Sequence, residues 1–139
     1  MAGNLTNYAE GKILQHSVGA ATWSAVTGYV GLFTTLPTDT TEAVAGVFSG
    51  EVSGNAYARQ TATWNAPSFT GTATTLSNSA AITFPTATNT GWGTVVGVGI
   101  FDALTGGNLI WWGPLTSSKV VAGTETFQFG AGALSLSLD

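Results

Sequence analysis

The chain has 139 residues, a net charge of −4, and only 7% charged residues against 44% hydrophobic ones. An ordinary soluble domain carries roughly 25% charged residues, so this surface must be made of Ser, Thr, Asn and Gly, or be partly covered by partner subunits. Lys12, Arg59 and Lys119 are the only cations, too few to neutralise phosphates, which excludes nucleic acid as a partner, and the absence of cysteine excludes disulfides and thiolate metal sites.

The length predicts a single domain with a sizeable core, divided into an N-terminal helix and arm over residues 1–23 and a β-sandwich over residues 24–139. In chain order, residues 4–17 hold the one helical pattern. Leu5, Tyr8, Ala9, Ile13 and His16 fall near helical spacing, and Asn7 to Glu10 resembles a capping box. Tyr29–Leu36 reads as the first strand, stopped by Pro37. Thr38–Gly54 reads as a long loop with a short turn at Glu42–Val47, and its acids Asp39, Glu42 and Glu51 read as solvated. Tyr57–Trp64, Ser68–Gly71, Thr74–Leu76 and Ala80–Phe84 read as strands, and Thr86–Gly93 as a polar loop.

Val95–Leu115 is the organising stretch. Two apolar arms, Val95–Phe101 and Leu109–Trp112, flank a polar turn whose Gly106-Gly107 pair supplies positive φ. Pro114 is expected to end the pairing, because it has no N–H to donate. Ser117–Val121, Thr126–Phe129 and Ala133–Leu138 then read as short strands. About eight strands without strand–helix alternation predict a mainly β fold, an antiparallel β-sandwich of jelly-roll-like arrangement with one short N-terminal helix.

The chemistry-bearing residues are few. His16 is the single histidine, and Glu10, six residues away, is off its helical face, so general acid–base catalysis lacks a second group. Gly97-Val-Gly99 and Gly91-Trp-Gly93 lack the further glycine or lysine of a phosphate-binding loop and read as strand glycines. No catalytic, metal or cofactor site is expected, and no run of about 18 apolar residues suggests a membrane span or a membrane partner. Trp111 and Trp112 are adjacent in a strand and must point to opposite faces. Trp64 and Trp92, at strand ends, read either as core closure or as interface anchors, tryptophan being enriched at interface hot spots.

The segments LFTTLPTDT, GNAYARQ, AAITFPTAT, WGTVVGVGIFDALTGGNLIWWGPL and FGAGALSLSLD resemble a family of small virion proteins of tailed bacteriophages, with GIFD-x-x-T-GGNL-x-x-W the most specific part. Members of that family are often labelled tail-fibre proteins, and some look like capsid cement (decoration) proteins. The resemblance implies a capsid cement protein on the outer surface of the capsid, with no catalytic motif, bridging subunits of the major capsid protein, with a receptor-binding tail-fibre or baseplate module as the alternative. It also implies a homotrimer. The interface candidates on this reading are Leu5, Tyr8, His16, Trp23, Trp64, Trp92 and Trp112.

Overall fold

The computed structural model describes residues 4–138; residues 1–3 of the expected arm, and residue 139, lie outside the described residues. The elements in order are β1 (Asn4–Leu5), α1 (Asn7–Ser17), β2 (Tyr29–Phe33), β3 (Gln60–Thr61), β4 (Ser68–Thr70), β5 (Ala73–Ser77), β6 (Ile82–Thr83), β7 (Gly93–Phe101), β8 (Leu109–Val121), β9 (Gln128–Phe129) and β10 (Ser135–Leu138). They pair antiparallel into a five-stranded sheet of order β1-β8-β7-β2-β3, a three-stranded sheet β10-β5-β4 and a two-stranded pair β6-β9. The protein is therefore a mainly β, antiparallel sandwich with one short N-terminal helix.

The expected hairpin lies at the centre of this fold. Strand β7 takes β8 on one side and β2 on the other, so its β-branched run is buried on both faces. Val98 and Ile100 join Val30, Leu32 and Trp111 in the larger core, together with Phe129 of β9 and with Phe84 and Leu134, which adjoin β6 and β10. The alternate residues Phe33 and Phe101 turn to the opposite face, where Phe48 and Leu109 complete a second cluster.

Glycine makes room for that second cluster. Gly31 and Gly99 sit directly opposite each other in β2 and β7. A Cβ on Gly31 would stand 2.7 Å from a ring carbon of Phe101, and one on Gly99 would stand 2.7 Å from both Phe33 and Leu109. The two glycines let bulky rings lie flat on the sheet, and Phe33 and Phe101 stack there with centroids 5.9 Å apart.

Several boundaries differ from the sequence reading, each for a tertiary reason. Residues 4–5 are strand rather than helix, because they pair with Trp112 and Trp111 on the edge of β8. The helix cap is Thr6, not Asn7. The Thr6 hydroxyl donates to the Leu109 carbonyl at 2.6 Å and accepts from the Ala9 amide at 3.4 Å. Pro114 does not end β8. The strand runs on to Val121 as one element, and the missing N–H is absorbed by a register shift that opposes Val95 to Lys119 but Gly97 to Pro114. Within Tyr57–Trp64 only Gln60–Thr61 is strand, because Tyr57 packs against Phe84 and Trp92 of the larger core and Arg59 turns to Glu51 and the Phe101 ring instead.

Candidate functional site

The segment between β2 and β3 folds across the second face of the five-stranded sheet and is fixed there by a buried ion pair. Arg59 is only 6% exposed. Its Nε and Nη2 each donate at 2.7 Å to the two oxygens of Glu51, and its Nη1 donates at 2.8 Å to the carbonyls of Ala103 and Gly106. The guanidinium lies 3.5 Å above the Phe101 ring. Tyr57 donates to Glu51 at 3.1 Å and accepts from the Leu32 amide at 2.9 Å. Burial, and then the adjacent Glu51 carboxylate, push the Tyr57 phenol well above its ordinary range. A buried charge is tolerable only when paired and hydrogen-bonded, and this one uses its donors to tie two distant loops together.

Those loops form a double-turn tip. In the first, Val44 and Val47 exchange two backbone hydrogen bonds of 2.9 and 3.1 Å, with Ala45 and Gly46 both at positive φ, as a tight hairpin turn requires. The second joins β7 to β8. There Asp102 closes the turn, accepting from the Asn108 amide at 2.7 Å and from its side chain at 2.8 Å. A cleft of about 340 Å³ separates the two turns; Glu51, Tyr57 and Arg59 line its inner part, and Val47 and Leu104 form apolar lips. The charged groups in the cleft satisfy one another, which suits it to contact rather than to proton transfer. Among the described residues no cluster of His, Cys, Asp and Glu is arranged to hold a metal ion.

The second uncovered surface is the N-terminal arm. Only the first turn of α1 is buried, through Ala9. Ile13, Leu14 and Val18 are exposed, the last at 77%. Beyond the helix, residues 22–28 form no helix, strand, turn or bend.

The interface candidates are scattered between these regions and the core. Leu5 packs partly against the main core. Tyr8 is half-buried beside Lys12, 5.5 Å from its ring centroid, and burial followed by the Asp102 carboxylate raises its phenol. His16 is exposed, and its Nδ1 accepts from the Trp23 amide at 3.2 Å; the Trp23 ring is half-exposed. Trp64 packs at the core margin. Trp92 is enclosed in the core, where its Nε1 donates to the Asn55 carbonyl at 3.0 Å, which is core closure. Trp111 and Trp112 do point to opposite faces, the first buried and the second donating to Asp39 at 3.0 Å.

The Arg59–Glu51–Tyr57 network was not legible from spacing, and Glu51 is not the solvated acid expected of its loop. The signal that could have found it is a lone arginine in an aromatic, strand-like stretch, with one acid eight residues upstream in a charge-poor chain.

A family model described as Podophage GP4 fiber I protein gp80 matches residues 4–137. No curated protein matches the chain.

Proposed function

The chain belongs to the Podophage GP4 fiber I protein gp80 family, which makes it a structural protein of a phage virion, and on that premise we propose that it is a non-enzymatic fibre subunit. It assembles as a homotrimer through its N-terminal arm and meets its target with the double-turn tip. The observation that carries this reading is the tip itself. A buried guanidinium bonds the Ala103 and Gly106 carbonyls of one turn and the Glu51 carboxylate of the segment that carries the other, and the two turns present one surface with apolar lips and no uncommitted acid or base. Rigid loops on a sheet scaffold suit recognition, because little ordering entropy is lost on contact.

A second position, on the outer capsid surface as a cement protein gripping the major capsid protein, is favoured by the uncovered apolar side chains of α1. Particles lacking this protein separate the two readings. The fibre reading expects particles that retain their DNA on heating but adsorb poorly to the host. The cement reading expects normal adsorption and early release of DNA. Particles normal in both respects would refute a structural contribution of either kind.

A further inference from the structure

We propose that Thr22–Gly28 adds as an extra β-strand to the free outer edge of β8 in a second copy of this chain, an inference that rests on the reading of the protein as a multi-copy virion subunit. The first observation is the backbone of this segment. It forms no helix, strand, turn or bend, and among its seven residues only the Trp23 amide has a hydrogen-bond partner, His16 Nδ1. The second is its apolar character and that of the helix before it. Leu14 is 67% exposed and Val26 is 42% exposed, with Trp23 half-exposed between them. Covering those side chains would also desolvate the unpaired amides and carbonyls beside them. Such burial is favourable only against a surface that makes main-chain hydrogen bonds, and the surface that does so is a sheet edge.

The chain carries such an edge. On the side of β8 away from β7, β1 covers only Trp111 and Trp112, which leaves Gly113–Val121 without a neighbouring strand among the described residues. The Val121 carbonyl accepts from the Trp92 amide, so by strand alternation the amide and carbonyl of Val120 face outward. Val120 is itself 62% exposed. The shift between Val95 and Gly97 leaves three extra residues in β8 between Pro114 and Lys119, so the added strand pairs with the regular stretch Lys119–Val121.

The segment cannot use its own edge. It is tethered at Tyr29, which pairs with Phe101 at one end of β7, whereas Val120 pairs with Thr94 at the other end. The contact therefore runs from one copy to another. Its register is also set. The Trp23 amide is directed to His16 of its own helix, so in an extended chain Ala25 shares that side, while Ser24 and Val26 face the opposite side and the incoming edge.

Proline scanning of the full chain tests this, because proline removes one donor at a time. Sedimentation of the purified protein should show wild-type oligomers. Val26→Pro and Ser24→Pro should each raise the concentration for half-assembly at least about tenfold, a shift of about 1.4 kcal/mol, and Ala25→Pro should leave it unchanged. Thermal melting should be the same for all three monomers, since none of these amides is bonded within the chain. In the wild type, hydrogen exchange at Val120 should slow on assembly.

A monomeric wild type at every soluble concentration would overturn the proposal. Equal tolerance of all three prolines, or equal damage by them, would do the same, as would unchanged exchange at Val120. These outcomes leave the fibre reading standing. That reading fails separately, if particles lacking the protein are normal.

Discussion

Glu51→Ala is the sharpest perturbation of the tip. Both side chains of the Arg59–Glu51 pair are almost dry, with 4% and 10% of their surfaces exposed. Removing the carboxylate strands a guanidinium against Phe101 and takes the acceptor from the Tyr57 hydroxyl. Breaking a buried pair from one side costs about 3–5 kcal/mol. At roughly 3 °C per kcal/mol for a chain of this size, the midpoint of thermal unfolding should fall by roughly 10 °C. Replacing both partners, Glu51→Leu with Arg59→Met, leaves no charge to desolvate and should return most of that stability. The double variant should still loosen the tip, because it loses the two bonds to the Ala103 and Gly106 carbonyls; hydrogen exchange across residues 102–108 reads this directly. A loss below about 1 kcal/mol in Glu51→Ala, the range of an exposed pair, would refute the argument that this network clamps the two turns.

Gly31→Ala should destabilise by about 1–3 kcal/mol or more, since its Cβ would also approach the Tyr57 hydroxyl to 2.9 Å; urea denaturation measures the loss. Asn78 is fully buried and donates to the Ala80 and Gly130 carbonyls while accepting from the Leu134 amide. Asn78→Ala strands the buried Leu134 amide, at about 1–3 kcal/mol, and leaves two part-buried carbonyls without this donor, so denaturation should show a loss of at least about 1–3 kcal/mol, and exchange should quicken in β10. The raised phenol of Tyr57 gives a pH dependence with a definite sign. The unfolded chain releases this proton near pH 10 and the folded chain holds it longer, so stability is full below pH 10 and falls by up to about 1.4 kcal/mol per pH unit above it. Tyr57→Phe should flatten that alkaline slope relative to Tyr8→Phe, and an identical slope in both would refute the assignment. His16→Ala should leave assembly intact, with at most a small stability loss, as native gels of the variant would show.

The architecture was legible wherever local pattern and tertiary demand agreed. The apolar arms around Gly106-Gly107 and the opposed faces of Trp111 and Trp112 follow from strand alternation and turn chemistry alone, and both are found in the fold. Boundaries failed where a distant strand outbid a local preference. Leu5 continues a helical spacing, yet β8 recruits it into a sheet, and Pro114 sits inside a strand because a register shift accommodates it. The tip was the least legible part. Its key contact joins Arg59 to Ala103 and Gly106, more than forty positions away, and no local periodicity encodes such a pairing. Loop acids look solvated in sequence, and only the fold shows that Glu51 is enclosed.

The central claim is that this protein builds the fibre apparatus of a virion. A reconstruction of the intact particle, computed without imposed icosahedral symmetry, tests it most directly. The account predicts density fitting this sandwich at the tail, in copies grouped as trimers, with the turns at residues 44–47 and 102–108 facing outward and the N-terminal arm against a neighbouring subunit. Density fitting it only over the capsid shell, at the junctions of major capsid protein subunits, would contradict the account.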